Sequence, residues 1–129
     1  MLAIDTNVLV RFLVKDDPEQ SLKARALIEQ ETIFVALTVL LEAEWVLRSA
    51  YRFERERLLK AFRAFAGLKT VVIQDPRALS KAIAWAEAGM DFADALHLAQ
   101  MGQSEAFATF DARLAKAAKR MGAAEVRGL

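Results

Sequence analysis

The stretch Leu2-Ala3-Ile4-Asp5-Thr6-Asn7 decides the fold class, because three apolar residues lead directly into an acid, a hydroxyl and an amide. A short, continuous apolar run is typical of a strand in a parallel sheet, where helices cover both faces. The next apolar run, Val8-Leu9-Val10, predicts a helix over 7–14. Ligands bind at the carboxyl ends of strands in open α/β sheets, and a carboxylate there is costly without a cation or hydrogen bonds. We therefore expect Asp5 to lie in a functional site.

The rest of the chain alternates between strands and helices, which predicts a mainly parallel sheet with helices on both sides. Asp17-Pro18 and Asp75-Pro76 are helix starts in which an N-cap acid precedes a proline at the first helical position. We predict one domain over residues 1–129. Its strands are expected at 2–4, 33–36, 70–73, 106–109 and 124–127, and its helices at 7–14, 18–30, Thr38 (as N-cap) to Ser49, a basic segment ending near Gly67, 76–88, 90–100 and 111–120.

Composition excludes several classes of protein. The chain has 129 residues and no cysteine, so it can bury a core without a disulfide framework. Its longest run without a charge, residues 32–41, is about half the ~20 residues that a transmembrane helix needs. We therefore expect a cytoplasmic protein with no signal peptide and no membrane association. Lys and Arg number 18 against 17 acids, so the net charge argues neither for nor against nucleic acid.

Acids follow the predicted strands, and they are expected to meet. Asp5 follows the first strand, Glu42 lies early in the helix after the second, and Asp111 follows the fourth. Asp91 and Asp94 lie one turn apart at the head of another helix. Right-handed crossovers place these strand ends at one edge of the sheet. The sequence therefore predicts that Asp5, Glu42, Asp94 and Asp111 converge.

Each acid taken alone also has a structural explanation. Asp is a favoured N-cap residue, so Asp91 is more easily explained as a cap than as a ligand, and Asp111 has the same alternative. Asp94 can complement the helix macrodipole. Glu42 has the apolar neighbours Trp45 and Val46, which predict a covered stem. The argument for a site therefore depends on the shared edge of the sheet and not on any single acid.

Four segments together resemble the PIN-domain ribonucleases, in particular the VapC-like toxins of type II toxin–antitoxin modules. They are Asp5-Thr6-Asn7, the stretch 41–47 (LEAEWVL), the stretch 91–96 (DFADAL) and Thr109-Phe110-Asp111. The resemblance implies a three-layer α/β domain with a central sheet of four to five strands. It also implies a homodimeric RNA endonuclease that uses Mg²⁺ or Mn²⁺ and is held inactive by a cognate antitoxin. The implied catalytic and metal-binding acids are Asp5, Glu42, Asp94 and Asp111, with Asp91 as an accessory acid and Thr6, Asn7 and Thr109 as polar supports.

An acidic metal site needs cations nearby to hold RNA. Mg²⁺ prefers carboxylate and water oxygens, and the ion offsets repulsion among the acids. Candidates for phosphate contacts are Arg11 and Lys15 close to the site, with Arg48, Arg52 and Arg55 beyond Glu42. An ordinary solvated helix face is an equally good explanation for any one of these bases.

Two other functions remain open from the sequence. The first is a catalytically silent PIN-like module used for binding or dimerisation, with which the apolar stripe Leu58, Leu59, Phe62 and Phe65 is compatible, although core packing explains the stripe more simply. The second is phosphoryl transfer through an aspartyl-phosphate on Asp5. Enzymes of the haloacid-dehalogenase type usually carry a second Asp two positions later, where this chain has Asn7.

Overall fold

The computed structural model describes residues 1–129. Contacts divide the chain into two compact units, Met1–Pro76 and Arg77–Leu129, and the prediction of one domain over 1–129 stays a prediction. In chain order the elements are β1 (Leu2–Ala3), α1 (Thr6–Leu13), α2 (Pro18–Gln30), β2 (Ile33–Val35), α3 (Leu37–Ser49), α4 (Arg55–Ala66), β3 (Val71–Ile73), α5 (Pro76–Glu87), α6 (Phe92–Ala99), β4 (Phe107–Thr109), α7 (Ala112–Met121) and β5 (Val126–Gly128).

All strand pairs are parallel, which confirms the predicted α/β class. In Met1–Pro76 the order is β1-β2-β3, with Leu2 opposite Ile33 and Ile33 opposite Val71. In Arg77–Leu129, β4 pairs with β5. The five strands therefore form a sheet of three and a sheet of two, where we predicted one sheet of four to five. The strands have only two or three residues each, so the sheets are small.

The prediction that the first strand is buried on both faces is wrong. Leu2 is 45% exposed and Ala3 is exposed, and only Ile4 after the strand is buried. The reason is position, because β1 lies at the end of the three-stranded sheet and has β2 as its single hydrogen-bonded neighbour. In β3, exposed and buried side chains alternate, since Val72 is 42% exposed between the buried Val71 and Ile73. A continuous apolar run therefore gave no guide to how many faces are covered.

The apolar stripe of α4 belongs to the core. Leu58, Leu59, Phe62 and Phe65 are all fully buried, and the ring of Phe65 contacts that of Phe12 at a centroid distance of 5.7 Å. Core packing, the simpler of the two explanations of this stripe, is confirmed.

Aspartate side chains cap the four helices α1, α2, α6 and α7, whereas α3 and α4 have no side-chain cap. Asp17 accepts a hydrogen bond from the Gln20 amide, as the Asp-Pro start predicts. Thr38, predicted as the N-cap of α3, lies inside the helix, and the cap residue is Ala36. Alanine offers no side-chain acceptor, and the amide of the buried Leu37, the first residue of the helix, donates to Oε1 of Gln74 at 3.0 Å, from the segment after β3. A residue 37 positions away in the sequence therefore provides the side-chain acceptor at the start of α3, where a local cap was predicted.

The second unit combines three helices with the β4–β5 pair. Gly122 ends α7 in the left-handed region, with φ 60°, as predicted for a C-terminal glycine. Arg52, between α3 and α4, is the one non-glycine residue with positive φ, at 56°. None of the helices combines the length and the apolar character that crossing a bilayer requires.

Candidate functional site

Asp5 and Glu42 open into the same pocket. This pocket, of about 520 Å³, lies where β1 runs into α1 beside the first turns of α3. The structure therefore brings together two of the four predicted acids, which are 37 positions apart in the sequence. The lining residues are Asp5, Thr6, Asn7, Thr38, Val39, Glu42 and Val46.

Asp5 has both a structural bond and an unused oxygen. Its extended backbone, with φ −94° and ψ 179°, makes it the N-cap of α1, and its Oδ1 accepts from the Val8 amide at 3.2 Å. Its Oδ2 accepts no hydrogen bond, and the residue is exposed to the pocket side. One oxygen therefore fixes the side chain and the other remains available to a ligand.

Thr6 holds the carboxylate of Glu42. Its hydroxyl donates a short hydrogen bond to Oε1 of Glu42, and the residue is only 9% exposed. Glu42 itself is exposed, so the predicted covered stem is wrong. Trp45 is 59% exposed as well, because this side of α3 faces solvent and not the core. The buried acid of the helix is Glu44, which pairs with Arg48 at 2.9 Å.

In Arg77–Leu129 two of the candidate acids are N-caps. Oδ2 of Asp91 accepts from the Asp94 amide at 3.2 Å at the start of α6, which confirms the cap explanation of Asp91. Oδ1 of Asp111 accepts from the amides of Arg113 and Leu114 at the start of α7. The hydroxyl of Thr109 accepts from the Asp111 amide at 2.9 Å and so orders this turn. Both acids keep a second oxygen without a hydrogen bond.

Asp94 lies close enough to the other two acids to respond to their charge. Partial burial raises the pKa of Asp94, the charges of Asp91 and Asp111 raise it further, and His97 opposes the shift. Burial and neighbouring negative charges both disfavour the ionised form of a carboxyl, so both raise its pKa. His97 itself is exposed at the last turn of α6.

The predicted RNA-contacting bases differ in how they are engaged. Arg11 donates to Gln20, to Asp16 and to the hydroxyl of Tyr51, and it forms an ion pair with Asp16 at 2.8 Å. Arg48 pairs with Glu44. Lys15 and Arg52 are exposed, and neither forms an ion pair. Two of the five predicted contacts, Arg11 and Arg48, are therefore already held by acids of the protein.

The donor set suits a hard divalent cation. The candidate ligands offer carboxylate and hydroxyl oxygens with no sulfur, and such donors suit Mg²⁺ and Mn²⁺. Nowhere in the structure, however, do three or more His, Asp or Glu side chains come together as a ready-made metal-binding group.

Two features of the surroundings were not given a role by the sequence. Thr38 lines the pocket of Asp5, and its position one helical turn before Glu42 was the signal that could have placed it there. Phe110, between Thr109 and Asp111, is 85% exposed. An apolar ring that the fold leaves in water next to a candidate ligand could not be recognised from residue type alone.

Parallel strands flanked by helices, with a carboxylate pocket at the end of the first strand, define an α/β domain with a candidate active site at the edge of a sheet. The model of the PIN domain family matches residues 2–120, and the chain belongs to this family. The seven helices and parallel strands are consistent with the three-layer α/β class of these domains. PIN domains are generally metal-dependent nucleases. No curated protein gives a significant match to the chain.

Proposed function

We propose that this protein is a metal-dependent endoribonuclease that hydrolyses RNA phosphodiester bonds, and that it is the VapC-like toxin of a type II toxin–antitoxin module. The observation that carries the proposal is the pair Asp5 and Glu42 in one pocket of a PIN domain, with the Glu42 carboxylate held by Thr6. Asn7 and Thr38 supply further polar atoms at its wall.

The four acids Asp5, Glu42, Asp94 and Asp111 would hold Mg²⁺ or Mn²⁺, with Asp91 as an accessory acid. When bound, such an ion orients a phosphate, neutralises charge on its oxygens and lowers the pKa of a coordinated water. The role of the chain's own residues is to hold carboxylate oxygens in place for the ion. Asp5 and Asp111 each keep one oxygen that no helix amide occupies, and Thr6 orients Glu42. Thr109 orders the backbone that carries Asp111.

The raised pKa of Asp94 supports a role for these acids together. Asp91 and Asp111 are both among the causes of this shift, so Asp94 lies within range of the negative charges of both residues. A cation bound there would relieve the repulsion and stabilise the folded protein by linkage.

The test compares Asp5→Asn with Asp17→Asn. Both residues are helix N-caps, and asparagine caps a helix as well as aspartate, so neither change should unfold the protein. We expect Asp5→Asn to slow RNA cleavage by more than the roughly 10- to 100-fold loss seen when a ligand's supporting partner is removed. It should also abolish the rise in melting temperature that Mn²⁺ gives the wild type. Asp17→Asn should match the wild type in both measurements.

Outcomes of this comparison separate the competing functions. Equal cleavage by the Asp5→Asn variant and the wild type would contradict the site. RNA that stays intact with wild-type protein and either metal would favour the silent binding module. Covalent trapping of Asp5 by a phosphate mimic such as beryllofluoride would favour the aspartyl-phosphate mechanism.

A cognate antitoxin, a homodimer and a cytoplasmic location are parts of the same proposal. Expression of the wild type should arrest growth where the Asp5→Asn variant does not, and a small protein encoded beside the gene should relieve the arrest. Light scattering on the purified chain measures its oligomeric state directly.

A further inference from the structure

The aromatic ring of Phe110 projects into solvent next to a candidate metal ligand. The residue is 85% exposed, the most exposed of the large apolar side chains, and it lies between β4 and the N-cap of α7. Thr109 and Asp111 on either side of it hold the backbone through the bond from the Asp111 amide to Oγ1 of Thr109. The ring therefore projects from an ordered turn and does not pack in the core.

The helix that follows has a basic face without acids. Within α7, Arg113, Lys116, Lys119 and Arg120 are exposed, and no acidic residue occurs between Ala112 and Met121. None of the four forms an ion pair, in contrast to Arg11 and the other paired bases of Met1–Pro76. From residue 113 to residue 120 the helix rises roughly 10 Å at 1.5 Å per residue, so these charges form a track and not a point.

A cavity continues this track toward the C-terminal segment. It has a volume of about 370 Å³ and is lined by Lys116 and Lys119 on α7 and by Glu125 and Val126 at the start of β5, together with Ala115 and Ala124. Glu125 is its one acid. From residue 111 to residue 127 there are five bases, since Arg127 adds to the four of α7, against the two acids Asp111 and Glu125.

We propose that Phe110 and the basic face of α7 form the binding surface for single-stranded RNA, with one base stacked on the Phe110 ring and the phosphates on Arg113, Lys116, Lys119 and Arg120. This inference rests on the proposed function, and it assigns the substrate contacts of that site. An exposed aromatic ring combined with a line of cations is the arrangement that binds single strands without reading sequence. An acidic protein partner would use the cations but would have no base to place on the ring.

The position of Asp111 gives this surface its direction. The stacking ring immediately precedes Asp111 and the first cation, Arg113, follows it by two residues, so a strand lying on α7 would pass the candidate ligand. Arg11 and Arg48, two of the bases predicted to contact phosphates, are instead paired with Asp16 and Glu44.

The first test measures binding of a fluorescent oligo-U in EDTA, so that cleavage does not interfere. Phe110→Ala should weaken binding by roughly 5- to 150-fold, the range for losing one stacked base. Phe110→Leu, which keeps the apolar bulk without the π face, should lose as much, whereas Phe110→Tyr should retain wild-type affinity. Because the side chain is exposed, all three variants should keep the melting temperature of the wild type. Equal affinity of the leucine and tyrosine variants would overturn the stacking assignment.

The second test measures how the binding constant depends on salt. The triple variant Lys116→Gln, Lys119→Gln and Arg120→Gln should flatten the slope of log K against log salt by about 2, because each neutralised phosphate contributes roughly 0.7 for a single strand. The control variant neutralises the exposed Lys60, Lys69 and Lys81 and so makes the same change in net charge. An equal flattening in both variants would overturn the assignment to α7.

The two proposals can fail separately. If wild type cleaves RNA and the α7 variant keeps its slope, the surface is wrong and the nuclease stands. If oligo-U binding depends on Phe110 and α7 but wild type with Mg²⁺ or Mn²⁺ leaves RNA uncut, the surface stands and the nuclease is wrong. A variant that loses polyglutamate binding while keeping oligo-U affinity would assign α7 to an acidic protein and overturn the inference.

Discussion

Replacing Thr6 by valine tests the contact that holds Glu42 in the pocket. The two side chains have nearly the same shape, so the change removes the hydroxyl that donates to Glu42 and leaves the 9%-exposed site filled. A hydrogen bond to a charged group contributes roughly 1.5–3 kcal/mol, and because water reaches the exposed Glu42 we expect a loss of about 1 kcal/mol in the free energy of unfolding. In a domain of this size that corresponds to about 4 °C in melting temperature.

The functional effect of Thr6→Val should exceed the effect on stability. Removing the partner that orients a metal ligand typically lowers metal affinity or activity by roughly 10- to 100-fold. Calorimetric titration with Mn²⁺ measures the affinity, and cleavage of a labelled RNA measures the rate. Thr32→Val is the matched control, since Thr32 is exposed, makes no side-chain hydrogen bond and lies outside the pocket. Thr6→Ser should restore both quantities. Equal Mn²⁺ affinity in Thr6→Val and Thr32→Val would refute the positioning role.

Two further predictions concern the scaffold. Gln74→Ala leaves the buried Leu37 amide without its acceptor and should lower the free energy of unfolding in urea by about 1 kcal/mol, whereas Gln103→Ala, in an exposed turn, should leave it unchanged. The hydroxyl of Tyr51 donates to Asp16 at 2.8 Å and holds the pKa of that carboxyl below its usual value. Its contribution to stability is therefore present above the unfolded pKa, about 3.9, and is lost as the pH falls through the lower folded pKa. Tyr51→Phe should narrow the stability gap between pH 6 and pH 3, and an unchanged gap in acid titrations of both proteins would contradict this.

Local signals in the sequence predicted most helix starts. Asp17-Pro18 and Asp91 begin helices because their side chains reach amides only three residues away, and such contacts depend on local sequence alone. The cap of α3 escaped prediction because its acceptor, Gln74, is 37 positions from Leu37 and becomes available only when β2 and β3 pair.

Burial was harder to predict than secondary structure. Leu2-Ala3-Ile4 has the composition of an interior strand, yet β1 is exposed because it ends the sheet. The order of strands is a long-range property that no window of sequence contains. Glu42 and Glu44 illustrate the same point, since helical geometry places them on different faces but does not say which face meets the core.

The candidate acids were predicted by residue type and place in the chain, and their alternatives were set out as cap or ligand. For Asp91 and Asp111, where a cap and a ligand were the alternatives, the two roles are compatible in one residue, because a carboxylate has two oxygens and helix amides occupy only one of them. The sequence could not show that Arg11 pairs with Asp16 and Arg48 with Glu44, since the charge of a residue does not reveal which acid lies within reach. It therefore could not distinguish these paired bases from bases free to bind RNA.

The amide bonds at Asp5, Asp91 and Asp111 bear on the thermodynamics of ion capture. Each carboxylate is already immobilised by the start of its own helix, so the rotational freedom of three side chains is given up when the polypeptide folds. A dication that binds the second oxygen of such a carboxylate would meet a side chain that is already restrained. Less of its binding free energy would then be consumed in ordering that side chain. In the proposed site, the contacts that begin these helices would also be the contacts that preorganise the anionic ligands.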